Sequence, residues 1–360
     1  MKPKSITLYD VASAAGVSYQ TVSRVINDAA HVSEKTRQKV EVAMAALNYV
    51  PNRVAQQLAG KLSQTLGLVT TTLSLHAPSQ IAAAVKTQAG KMQFSVVMSM
   101  LEAPGFDASK AAVQSLLSQR VDGLIVNIPL ENDEVRALQT LCGDVPVLFL
   151  DVSPALAVHS TVFSPDEGAQ LGVEHLLALG HQNIALLNGP QSSISARLRF
   201  EGWQHRLGLH QLEATAILEG DWSSRSGYEQ VSRLLQEGSM PGALLVANDQ
   251  MALGALRAFS EQGLSVPTDV SVVGYDDTED SAFFIPPLTT IKQDFKMLGQ
   301  ASVNRLIELI HQPDVPPASQ VLPVTLVTRK TTAVPAGKKP QAQELAKALS
   351  ALAQQVAKLG

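Results

Sequence analysis

Cysteine is nearly absent: Cys142 is the single one in 360 residues, and only 4% of the chain is aromatic. One thiol excludes a disulfide framework and a cysteine-based zinc site, and its rarity suits a reducing compartment. Long apolar runs are missing too. Residues 62–85 carry no formal charge, yet Gln64, His76, Pro78, Gln80 and several threonines interrupt them, so no membrane span is expected. Lys2 and Lys4 lead into Leu8-Tyr9-Asp10 rather than an apolar stretch, so no secretory signal is read and a cytoplasmic location is expected. What the chain does have is apolar mass. At 45% hydrophobic and 17% charged it is neither disordered nor collagen-like, and its length allows about two domains of roughly 100–200 residues each.

The net charge of −4 is unevenly placed. Residues 1–61 hold eight Lys and Arg against four Asp and Glu, residues 62–330 hold 16 against 27, and residues 331–360 hold four against one. A small basic head on an acidic body points the head toward a polyanion.

Within that head, Thr7 precedes an apolar-periodic run with Asp10 three residues on, a capping-box-like start. Leu8, Val11, Ala12 and Ala15 share a helical face, Gly16 suits a turn needing positive φ, and Val17 can plug the angle between helices. Ser18 is a good cap for a second helix that turns Val22, Val25 and Ile26 inward and shows Tyr19, Gln20, Ser23 and Arg24 outward. Ser33 caps a third, with Val40, Met44 and Leu47 on its buried stripe. Three short helices with a tight turn between the first two form a helix-turn-helix, whose second helix enters the major groove of double-stranded DNA. Arg24 can take guanine O6 and N7, Gln20 an adenine edge, and Ser18, Thr21 and Ser23 can bond phosphates. An ordinary three-helix packing module with a polar face is the plainer alternative.

Pro51 stops the third helix and Asn52 can cap a short one to Gly60. A helix so short is marginal alone and should order against a partner or DNA, where Leu58 is an apolar wedge for the minor groove; a plain linker is the alternative. The DNA-contacting set expected is Leu8, Ser18, Tyr19, Gln20, Thr21, Ser23, Arg24, Asn27, His31, Asn52, Ala55 and Leu58.

From residue 66 apolar runs alternate with helical patterns. Strands are expected at 66–71, 95–100, 123–127, 145–150, 183–187, 243–246 and 270–274, with helices between them at 107–119, 165–179, 227–237 and 250–262, among others. That predicts two doubly wound α/β subdomains in residues 62–330, interleaved by crossings near 163, 292 and 322, with a ligand cleft at their carboxyl strand ends. Asn127, Asp151, Asn248 and Asp276 repeat the same place at strand ends, where amides and carboxylates suit polyol hydroxyls. Arg199 adds a planar donor fork, and Trp222 and Phe295 offer flat apolar faces. Residues 331–343 have a linker composition. Leu345, Leu349, Leu352, Val356 and Leu359 then step by four and three, a short seam apt for oligomerisation over residues 344–360.

The run from Leu8 to Ala12, Gly16-Val17-Ser18-Tyr19-Gln20-Thr21-Val22-Ser23-Arg24-Val25 and the stretch from Pro51 to Lys61 resemble the bacterial repressors with a sugar-binding-protein-like core, in their lactose-operon branch. The resemblance continues along nearly the whole chain, including residues 246–255 and 271–281. It implies a repressor of a lactose-utilisation operon, released from a palindromic operator by a galactoside inducer. Asp151, Arg199, Asn248 and Asp276 then stand as hydroxyl-binding residues, with Asn127 and Gln293 as further polar contributors. Leu75, Ala77, Pro78, Ile81, Leu150, Phe163, Trp222, Phe295 and Leu298 stand as lining. It also implies paired hinge helices across a dimer and a tail that joins two dimers. The chain departs from the pattern at Asp28, acidic where the branch is neutral, at Thr71, which adds a methyl to a serine, and at Gly90-Lys91.

Two other classes share parts of this pattern. A sugar-binding transport component would share the core but carry a signal and no basic head. A glycosidase needs two carboxylates flanking one bond, whereas Asp276 and Asp277 are neighbours on a loop and point apart. No phosphate loop, metal-spaced histidines or nucleophile elbow is present, so no enzyme, cofactor or metal is expected. The sign of coupling between ligand and DNA, induction or corepression, is not set by the fold.

Overall fold

A computed structural model describes residues 6–26, 32–49, 62–101 and 105–335. Contacts divide the chain into two units, residues 1–63 and 64–360.

In the first unit α1 (Leu8–Ala15), α2 (Tyr19–Ile26) and α3 (Glu34–Ala46) close around a small core of Val11, Val22, Val25, Val40 and Ala43. Their ends follow from the capping residues. The Thr7 N–H and hydroxyl both donate to Asp10 Oδ2 at 2.7 Å, Ser18 Oγ accepts from Thr21 N, and Ser33 Oγ from Thr36 N. Gly16 ends α1 at φ 65°, a left-handed conformation that favours glycine, and Val17 packs on the core as expected.

The second unit holds two six-stranded sheets. The first runs β11 (Ser319–Leu322), β5 (Ser160–Phe163), β4 (Val147–Phe149), β3 (Gly123–Asn127), β1 (Thr65–Thr70) and β2 (Ser95–Met100), each neighbour parallel. The second runs β12 (Thr325–Val327), β10 (Thr289–Lys292), β9 (Ser271–Asp276), β8 (Ala243–Val246), β6 (Ile184–Asn188) and β7 (Ile217–Glu219), parallel except for the β10–β12 pair. Both faces of the first sheet are buried. Register aligns Leu68, Ile125 and Leu148 on one face and Val69, Val126 and Phe149 on the other, and each row has its own apolar cluster. That is why these strands read as continuous apolar runs.

Around the sheets lie α4 (His76–Lys91), α5 (Phe106–Ser118), α6 (Asn132–Cys142), α7 (Pro165–Leu179), α8 (Ile194–Leu209), α9 (Ser224–Gln236), α10 (Asp249–Glu261) and α11 (Phe295–His311). The chain leaves the first sheet after Phe163, returns after Lys292 to place α11 against α4, and leaves again after Leu322.

One expectation shifts. Residues 331–333 were assigned to a linker, but Thr331 is wholly buried. Its hydroxyl donates to Val272 O at 2.7 Å and its carbonyl accepts from Val272 N at 2.8 Å, while His181 Nε2 lies 2.9 Å from Ala333 O. Small polar residues that look like linker are here tied to the start of β9. The hinge at residues 51–61 and the seam from Leu345 to Leu359 lie outside the described residues.

Candidate nucleic-acid interface and ligand cleft

The second helix of the head presents the expected polar face. Tyr19, Gln20 and Arg24 are exposed, Thr21 and Ser23 are half-buried, and Ser18 stands exposed at its start. Ser18 Oγ and Thr21 Oγ1 lie 2.9 Å apart, so these two hydroxyls first serve the helix end. The Tyr19 ring stacks on Tyr9 at 4.8 Å between centroids with planes 22° apart. Tyr9 was not among the expected contacts, yet its ring backs that of Tyr19. Leu8 is half-buried against the head core, so packing accounts for it before any DNA contact does. Asn27, His31, Asn52, Ala55 and Leu58 lie outside the described residues.

In the core, a cavity of about 330 Å³ opens where the carboxyl ends of both sheets face each other. Its wall includes all fifteen residues singled out from the sequence. From the side of the first sheet come Leu75, Ala77, Pro78, Ile81, Asn127, Leu150, Asp151, Phe163, Phe295 and Leu298. From the side of the second come Arg199, Trp222, Asn248, Asp276 and Gln293. Ser192, Ser193, Ser195, Gln250 and Tyr275 also line it and were missed. The serine-rich loop after β6 occupies the same place as the polar strand ends and was legible on that ground. Tyr275, inside an apolar strand, left no such signal.

Arg199, Asn248, Trp222 and Asp151 are each held by a nameable contact. Arg199 is buried, with Nη1 on Ala247 O, Nη2 on Gln293 Oε1 at 3.0 Å and its Cζ 3.9 Å from the Tyr275 ring centre. Asn248 caps α10 through Met251 N at 2.9 Å and donates to Trp222 O at 3.0 Å. The capping role and the lining role therefore coexist. Trp222 lies so close to Gly189 that a Cβ there would sit 2.4 Å from the indole. Asp151 Oδ1 accepts from Ser195 N at 3.2 Å across the cleft, and burial raises its pKa against the opposing pull of that N–H and Arg199. Two further bridges join the walls: His76 N donates to Gln250 Oε1 at 2.9 Å, and Arg197 grips Glu131 bidentately at 2.7 and 3.0 Å.

Asp276 is strongly perturbed. It is buried, adopts φ 120°, and its Oδ1 has no partner among the described residues. Burial pushes its pKa up to about 8, with the neighbouring Asp249 adding to the rise and Arg199 opposing it. Asp277 next to it turns away, bonded to Arg329 at 2.6 Å and near Lys292 at 3.6 Å. Among the described residues no group of side chains has the makings of a metal site, and no helix is long and apolar enough to cross a membrane.

Residues 7–52 match the family described as bacterial regulatory proteins, lacI family, and residues 173–332 match a periplasmic binding protein-like domain. The lactose operon repressor of Escherichia coli (strain K12) is 58% identical over 359 residues, covering 100% of this chain and 99% of that protein. The chain belongs to the lacI family of bacterial regulatory proteins. Another lacI-family relative, the lactose operon repressor of Klebsiella pneumoniae, is 43% identical and covers 92% of this chain and 93% of its own. The solved lac repressor dimer bound to operator and the anti-inducer ONPF matches with a TM-score of 0.88 at 60% identity, covering 92% of this chain and 100% of that one. This lacI-family chain thus carries an exposed polar helix in its head unit and a cavity with polar residues in an otherwise apolar wall in its core unit.

Proposed function

We propose that this protein is the repressor of a lactose-utilisation operon. It holds a palindromic operator as a symmetric dimer and lets go when a galactoside fills the core cleft. The observation that carries the reading is the meeting of Asp151 on one wall with Arg199, Asn248 and Asp276 on the other, in a single cavity of a lacI-family chain. A polyol touching both walls binds best at one spacing of the walls. DNA that needs two heads at half-site distance favours another, so each ligand weakens the other by the same factor. Full-length likeness to lactose operon repressors favours induction over corepression. Self-association is supported by exposed apolar side chains at Leu253, Phe283 and Ile285, the last 94% exposed. The tail from Leu345 to Leu359 then joins dimers in pairs. The role calls for a cytoplasmic protein without cofactor.

An enzymatic reading would need paired carboxylates about one glycosidic bond, and Asp277 is committed to Arg329. Purified protein is expected to leave a chromogenic galactoside unhydrolysed. The reading is tested by fluorescence anisotropy of a lac-type palindromic duplex with and without an alkyl thiogalactoside. Tight binding weakened by the sugar is expected, and binding indifferent to it overturns the coupling. Arg24→Ala should lose specific operator binding and keep sugar affinity, and Asp276→Ala should do the reverse; equal damage to both activities by both changes refutes the division into two sites.

A further inference from the structure

One strand end differs from the rest. Asn188, the last residue of β6, is 1% exposed, and neither its Nδ2 nor its Oδ1 has a partner among the described residues. Folded chains rarely keep a buried carboxamide unpaired, so its neighbours decide what it does. Leu186 pairs with Leu245 and Leu245 with Val273. Residues two further along each strand share that face, which places Asn188, Ala247 and Tyr275 in one row across β6, β8 and β9. Helix α7 covers this face, as Gly172 against Leu245 and Gly168 against the Tyr275 hydroxyl show, and α8 brings Arg199 onto it. The Arg199 guanidinium lies over the same row, stacked on Tyr275 and bonded to Ala247 O. Neighbouring strands are about 4.8 Å apart, so the Asn188 carboxamide stands one strand from the carbonyl that holds Arg199.

We infer that Asn188 is a positioning residue for Arg199, its Oδ1 accepting a guanidinium N–H in the sugar-bound arrangement. The inference rests on the sugar-cleft reading. In this structure Arg199 is bonded to Ala247 O and Gln293 Oε1. A sugar hydroxyl that accepts from Arg199 draws the guanidinium off one of them, and a fixed acceptor beside it keeps the donor fork aligned. Among the described residues the carboxamide has no partner, and the moved guanidinium supplies one, so its two effects have opposite signs.

Asn188→Ala is therefore expected to raise the melting temperature of the ligand-free protein by about 2 °C, because an unsatisfied amide is gone. The same change raises the Kd for an alkyl thiogalactoside about tenfold in calorimetric titration. In an Arg199→Lys background, where a point charge replaces the fork, Asn188→Ala should leave the remaining sugar affinity alone. Unchanged Kd, a melting temperature that falls along with affinity, or an undiminished effect in the Arg199→Lys background each overturns the positioning role while wild-type binding upholds the sugar cleft. Wild-type protein that binds no thiogalactoside overturns both.

Discussion

Asp276 links ligand chemistry to stability. In the folded chain burial holds its carboxyl protonated up to about pH 8, whereas in the unfolded chain it ionises near 3.8. Between those values the unfolded state binds fewer protons, so the contribution is complete below pH 4 and is lost as pH rises toward 8. Asp249, buried and raised to about 6, acts with the same sign from pH 4 to 6. Melting temperatures of the ligand-free protein should therefore fall between pH 5 and 8, and Asp276→Asn should flatten the fall above pH 6. An equal slope in the variant would place the titrating proton elsewhere. At this scale much of the site was legible, because Asn127, Asp151, Asn248 and Asp276 follow the same apolar-run signal at the same place. Tyr9 and Tyr275 were not, since what they do depends on a side chain brought beside them from another element: the Tyr19 ring for the first, the Arg199 guanidinium for the second.

Elements were legible in proportion to their length and to the chemistry of their ends. α7 was read with both its boundaries because Pro165 opens it and Gly180 closes it at φ 94°. The strands β7, β10, β11 and β12 were not read at all. They are three or four residues long, sit at or beside sheet edges and are partly exposed, so period-two patterning has no room to register and only pairing defines them. β5 escaped for another reason: its Ser160 and Thr161 are polar yet buried beside β4 and β11. End chemistry also yields a test. Ser18→Ala removes the acceptor of the Thr21 N–H, a loss of about 1 kcal/mol to the first helical turn of α2. Faster amide exchange across residues 18–26, with weaker operator binding and unchanged sugar affinity, is the expected result. Unchanged exchange would mean that core packing alone sets this helix start.

For the whole molecule, assembly and coupling are the measurable properties. Removing residues 345–360 is expected to halve the sedimenting mass, from a dimer of dimers to a dimer, while leaving sugar binding intact; an unchanged mass would refute the role of the leucine seam. The three passages of the chain between the two sheets, after Phe163, Lys292 and Leu322, have a consequence of their own. Each lobe is stitched from separate stretches of sequence, so no continuous segment encodes either one. A single proteolytic nick in one passage leaves two intact tethers, and the lobes stay in register. Genetic exchange meets the same wiring: a crossover cannot import one lobe without severing the other, so the two walls of the cleft are inherited as a block and their specificity must drift together, residue by residue.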